Sequence, residues 1–304
     1  MSAQPVPSTV QAAIIAETTA PGEKPLWRAR AVASTTGGHL SGDFACTSVA
    51  MQIAEVTVGS LYFARGEIDA RAARARGATG VVCEHKVPTA HVLVEDMNTA
   101  IAALARAARS RTKAVVTATI GFGDDAMVPG LIFQALDRAS RGDAWRAECA
   151  DGLDAGMVAM AADLGYALYD LQGVAGGERL RPHLLVAGPE TPRAEGLALA
   201  GAIPAGGAAV LPSDHVDFPR WRAAALDNGA QVFGYGRKAS SDICLLDTIA
   251  GPAGGRLVTA DMMGSRMCYQ LGDRGLDPRC SLAVLGAMRA AGASYGAAAL
   301  ALAA

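Results

Sequence analysis

From Ala114 onward, short apolar runs alternate with helix-patterned segments, and few folds accommodate that alternation. The run Ala114–Thr119 is apolar or small throughout, as a strand covered on both faces must be. A glycine-containing loop follows, then a helical pattern from Pro129 to Ala139. Proline suits its first turn, where a missing N–H costs no hydrogen bond. Strand candidates recur at Tyr166–Leu171, Leu184–Ala187, Ala208–Leu211 and Gln231–Tyr235, the last reached through a helix carrying Phe218, Trp221 and Ala225. Strands separated by helices predict a doubly wound, mostly parallel α/β sheet. After Ser240 the pattern changes to hairpins. Ile243–Ile249, Arg256–Asp261 and Met267–Leu271 alternate, with turns at Pro252–Gly255 and Met263–Ser265. Two alanine-rich helices, Ser281–Ala291 and Ala293–Ala303, close the chain.

A smaller α/β unit precedes this one. Its segments are a helix at Trp27–Thr36 closed by Gly37 and Gly38, a strand at Leu61–Ala64 and a helix at Ile68–Arg76. Two β-rich runs follow, Gly80–Cys83 and His91–Val94, then a helix capped by Asn98 with Ile101, Leu104, Ala105 and Ala108 on one face. At about 100–200 residues per domain, 304 residues fit two domains. The expected division is a flexible arm over residues 1–25, a small N-terminal domain over 26–112 and a larger one over 113–304.

Charge and cysteine usage exclude several classes of function. A net charge of −2 provides no field that would draw the chain to nucleic acid. Arg71, Arg74 and Arg76, and Arg106, Arg109 and Arg111, read as solvated helix faces. Cys46, Cys83, Cys149, Cys244, Cys268 and Cys280 show no CxxC spacing, so they read as small core residues and not as zinc ligands. No apolar run approaches the ~20 residues that span a bilayer, and the first residues lack a basic-then-apolar leader. A cytoplasmic location without membrane attachment is expected. His39, His85, His91, His183 and His215 are dispersed, and no G-x-S-x-G elbow is present. Gly234-Tyr235-Gly236 reads as a turn, and Glu148, Asp151 and Asp154 as a solvated loop interrupted by Gly152 and Gly156.

Four stretches, in order along the chain, resemble the Mur ligase family. They are Thr36-Gly37-Gly38-His39-Leu40-Ser41-Gly42-Asp43-Phe44, Val58-Gly59-Ser60-Leu61-Tyr62-Phe63-Ala64, Val94-Glu95-Asp96 with the helix at Ala100–Ala105, and Ser281-Leu282-Ala283-Val284-Leu285. The wording is nearest to the branch that adds D-alanyl-D-alanine to a UDP-muramoyl tripeptide. The resemblance implies a Mur-type N-terminal domain followed by a central domain of P-loop type with a hairpin extension. It also puts the end of this chain where the family's C-terminal domain begins, so that domain is expected to be absent.

The same resemblance implies a damaged site. The family's phosphate loop, TGxxGK[ST], aligns with Thr119-Ile120-Gly121-Phe122-Gly123-Asp124-Asp125. Gly121 and Gly123 keep the glycines, while Asp124 and Asp125 replace the lysine and the hydroxyl. A charge pair at 4 Å is worth on the order of 4 kcal/mol at intermediate dielectric, so this exchange turns attraction for phosphate into repulsion. A rescue by Mg²⁺ held between the two aspartates ranks below solvated loop carboxylates. Asp170 falls near the magnesium glutamate and also reads as a plain strand end, and Asp214 keeps the family's aspartate turn. Both are treated as vestiges. Ala187-Gly188-Pro189-Glu190 replaces a TN…H run, Gln52-Ile53-Ala54 replaces the DSR that holds UDP, and Pro192–Gly196 offers no lysine for carbamylation. The expectation is a catalytically inactive relative with no catalytic residue, cofactor or metal. It would act as a binding, scaffolding or regulatory subunit through contact with another protein or a second copy. The alternatives are a ligase-like enzyme of altered chemistry that depends on a partner, and a binder of UDP-sugar-like small molecules.

Overall fold

The computed structural model of the protein describes residues 24–251 and 254–304. Nearly all of the expected arm, and Pro252 and Ala253 of the expected turn, lie outside the described residues. The chain divides into two compact units. One comprises residues up to Thr112 together with Asp154–Ala162; the other comprises Lys113–Leu153 and Asp163–Ala304. The sequence places Asp154–Ala162 with the second domain, whereas the structure counts it with the first unit.

In the first unit, β1 (Trp27–Arg28) and β3 (Ala45–Cys46) form a small ladder flanking α1 (Ala29–Thr36). The main sheet has the order β2-β7-β6-β5-β4. Its strands are β2 (His39–Ser41), β4 (Ser48–Ala50), β5 (Ser60–Ala64), β6 (Gly80–Cys83) and β7 (His91–Leu93), joined by α2 (Glu67–Ala75) and followed by α3 (Met97–Arg111). Only β2 runs antiparallel to its neighbour. The strands β1 to β4 are two or three residues long and carry no periodicity that sequence can register. The cap of α3 is Asp96, which accepts from Thr99 N at 2.7 Å, and not Asn98 as expected. The position preceding the helix is where a carboxylate reaches the orphan N–H groups.

Arg111 corrects the reading of the arginines as a solvated face. Arg71, Arg74, Arg76 and Arg106 are exposed. The Arg111 guanidinium instead lies 3.8 Å over the Trp27 ring and donates to Leu26 O (2.8 Å) and Met160 O (3.3 Å). Trp27 Nε1 donates to Val158 O at 2.9 Å, so the cation and the indole together hold Asp154–Ala162 in the first unit. Burial holds the Arg111 pKa below its usual value.

The second unit contains a nine-stranded sheet ordered β16-β15-β14-β13-β12-β11-β8-β10-β9. In chain order its strands are β8 (Val115–Ile120), β9 (Ala144–Arg146), β10 (Tyr166–Asp170), β11 (Leu184–Ala187), β12 (Ala208–Pro212), β13 (Gln231–Gly236), β14 (Ile243–Ala250), β15 (Arg256–Met262) and β16 (Ser265–Leu271). All pairs from β9 to β14 are parallel, and β14-β15-β16 is an antiparallel meander. This is the mostly parallel sheet with a hairpin extension that the alternation predicted. Its helices are α4 (Val128–Ser140), α6 (Arg193–Ala202), α7 (Phe218–Asp227), α8 (Pro278–Ala290) and α9 (Tyr295–Ala303), while α5 (Leu153–Val158) belongs to the first unit except for Leu153. One core joins α4, α8 and α9 to the sheet through residues such as Ile132, Leu136, Val186, Val210, Leu282, Leu285 and Leu302. The uncharged terminal helix α9 is therefore packed within this unit on one side, against α4, α8 and β16.

Three local readings need correction. Gly234-Tyr235-Gly236 belongs to β13 and is not a turn. The acidic stretch at Asp154 lies in α5, whose Leu153, Met157 and Val158 are buried, so apolar anchoring overrides Gly156. Among the cysteines, Cys46, Cys83, Cys244 and Cys280 are buried, but Cys149 is half-buried and Cys268 exposed. No helix among the described residues is long and apolar enough to cross a membrane.

Candidate functional site

Parallel strands deliver their following loops to one edge of the sheet. In the second unit the chain leaving β8 passes to β9 and β10 on one side of it, whereas the chain leaving the adjacent β11 passes to β12 on the other. That reversal is the switch point at which open α/β sheets form a ligand crevice. The loop after β8 therefore faces the loop after β11, and the two are bonded directly. Gly188 N donates to Ile120 O (2.7 Å) and Glu190 N to Gly121 O (2.9 Å). The buried Thr191 hydroxyl bonds Ile120 O (3.1 Å) and Gly188 O (2.9 Å).

Gly121 takes φ +74°, and Gly123–Asp125 forms a single 3₁₀ turn ahead of α4. The Glu190 carboxylate rests against Gly123, in the space that a side chain at Gly123 would require. Gly121 N donates to Gln172 Oε1 at 3.1 Å, and Asp125 N to Phe122 O at 2.8 Å. Two backbone donors of this loop are thus committed to the protein itself. Asp124 is exposed.

Asp125 departs from the expected solvated carboxylate. It is half-buried, and its Oδ1 accepts from Asp277 N (3.2 Å) at the start of α8. Asp277 caps that helix through Arg279 N (2.8 Å) and pairs with the Arg279 guanidinium (Nε at 2.9 Å). Burial pushes the Asp277 carboxyl up, but the hydrogen bonds and charge of Arg279 outweigh it and hold the group below its ordinary value. Burial, and then the neighbouring Asp125 carboxylate, push the Cys280 thiol far above the thiol range. It is not a thiolate nucleophile at neutral pH.

The remaining expected positions are dispersed around this edge. Asp170 is the last residue of β10; it faces Arg146 at 3.8 Å and accepts from Thr119 Oγ1 at 3.4 Å. Asp214 is exposed after β12 and accepts from Arg237 N at 2.9 Å. Among the described residues, no three His, Cys, Asp or Glu side chains converge as metal ligands would. In the first unit Gln52 and Glu55 close a 3₁₀ turn reciprocally. The sequence marks Glu190 only as part of the Ala187–Glu190 stretch, with no sign of its contact with the β8 loop, and gives no sign of Gln172. Each follows its own strand, and only the sheet order brings both to the β8 loop.

No protein-family model matches the sequence, and no curated protein sequence does. Solved structures do match. A crystal structure of MurF from Acinetobacter baumannii superposes with a TM-score of 0.73 at 15% identity, over 92% of this chain and 68% of that one. The UDP-N-acetylmuramoylalanyl-D-glutamyl-2,6-diaminopimelate–D-alanyl-D-alanyl ligase from the same organism gives 0.73 at 16% identity, covering 94% and 69%. MurF ligase from Thermotoga maritima, in complex with ADP, gives 0.61 at 16% identity, covering 83% and 65%. Identities this low speak to the fold and not to the chemistry. Through some nine-tenths of its length, this chain has a Mur-ligase-like fold.

Proposed function

We propose that this is a binding or scaffolding protein on a Mur-ligase-like fold, without nucleotide-driven amide ligation of its own. The observation that carries the reading is the Glu190 carboxylate seated on Gly123 of the phosphate loop. A nucleotide phosphate entering that loop would have to displace it and would still meet Asp124 and Asp125. Each like-charge contact near 4 Å opposes binding by on the order of 4 kcal/mol at intermediate dielectric. The T. maritima MurF that holds ADP shares the fold with this chain. In the proposal, the difference lies in these carboxylates.

The other half of the proposal is that the protein acts by contact with another protein or a second copy of itself. Support comes from the meander, where Leu246 and Ile249 of β14 are exposed and Leu257 lies opposite Ile249. Apolar side chains presented together on a sheet face are the kind of surface an interface covers.

Calorimetric titration with Mg·ATP tests the nucleotide half. The expected result is no saturable heat at millimolar nucleotide, for the wild type and equally for Asp124→Lys, because Glu190 and Asp125 remain in place. A micromolar dissociation constant for the wild type would overturn the reading.

A further inference from the structure

Beside the occupied phosphate loop the switch-point crevice stays open. A cavity of about 290 Å³ lies over Ile120, between the loop that follows β10 and the first turn of α6. Its walls are Ile120, Leu171, Val174 and Pro192, with the Gln172 amide and the Glu195 carboxylate as polar groups. Ile120 and Leu171 are buried, so the floor is a fixed apolar surface. We propose that this cavity binds a short aliphatic ammonium compound, with its methylene chain on the apolar floor and its charged head at Glu195.

The cavity itself defines the site, and its chemistry selects the ligand class. A volume near 300 Å³ is the lower end for a small-molecule site and suits a body of a few methylenes. The only ionised side chain on the lining is a carboxylate, and no cation pairs with Glu195 among the described residues. The nearest arginine along the chain, Arg193, is committed to Asp217 at 2.9 Å. Arg146 faces Asp170, and Arg179 lies at Gly176, outside the lining. The Glu195 carboxylate matches an ammonium in charge, and the apolar walls match its alkyl stem.

The inference rests on the preceding reading that nucleotide does not occupy this edge, and the experiment separates the two. Amide chemical shifts of the full chain would be followed during titration with 1,4-diaminobutane, butylamine, acetate and, separately, Mg·ATP. The proposal expects saturable shifts centred on Gly173–Ala175 and Glu195 with both amines, and none with acetate. Glu195→Gln should weaken amine binding about tenfold, the size of one charge-assisted hydrogen bond. Ala175→Trp, a change at an exposed position on the rim, should abolish it while the amide spectrum away from the cavity stays that of the folded protein. The proposal is overturned by no amine saturation below about 10 mM, by equal affinity in Glu195→Gln, or by shifts centred elsewhere. Shifts from Mg·ATP at Gly121–Asp125 would instead bring down the non-nucleotide reading, whatever the amines do.

Discussion

Trp221→Ala is expected to destabilise the second unit by about 3–5 kcal/mol, the range for deleting a fully buried aromatic side chain. Trp221 is completely buried in α7. Its ring stacks on His215 at 4.3 Å and lies against Gly196 of α6, while its Nε1 donates to Arg193 O at 3.2 Å. The indole thus fastens α6 to α7 and sets the position of Pro192 and Glu195. Urea unfolding of the variant should show the loss directly. A change below about 1 kcal/mol would mean that α6 is held by something other than this ring.

Gly188→Ala is the second large effect. A methyl group there would collide with the Gly121 carbonyl oxygen and lie 2.9 Å from the Phe122 ring. The carbonyl is backbone and cannot rotate aside, so the β11 loop must lift from the β8 loop, at a cost of about 1–3 kcal/mol as for other overpacked sites. The bonds from Gly188 N to Ile120 O and from Glu190 N to Gly121 O would lengthen first. Hydrogen exchange should therefore accelerate at Gly188, Glu190 and the Gly121–Asp125 turn while the β12–β13 pairing stays protected. Unchanged exchange there would show that the two loops are not mutually dependent.

The fold was largely legible because its signals are local. The uninterrupted apolar run of β8, the proline in the first turn of α4 and the alternation in β14–β16 each follow from the period of one element. Elements without such a period were lost. β9 is a three-residue edge strand with no buried face, and α5 holds only three fully buried apolar side chains around a glycine. The site was legible only in part, for a related reason. Asp124 and Asp125 follow Gly121 and Gly123 at a fixed short spacing, so the two carboxylates could be read directly. Glu190 and Gln172 reach the loop across the sheet, and Asp125 finds its partner at Asp277, far along the chain. Arg111 was misjudged in the same way: Trp27 and Met160 convert an exposed-looking helical arginine into a half-buried clasp.

In the proposed function the protein's own carboxylates hold the places nucleotide phosphates would need. A crystal structure determined after soaking in millimolar Mg·ATP tests it most directly. The account predicts Glu190 against Gly123, Asp125 bonded to Asp277 N, and no nucleotide in the β8 loop. Phosphate density within Gly121–Asp125, with Glu190 swung away, would contradict it.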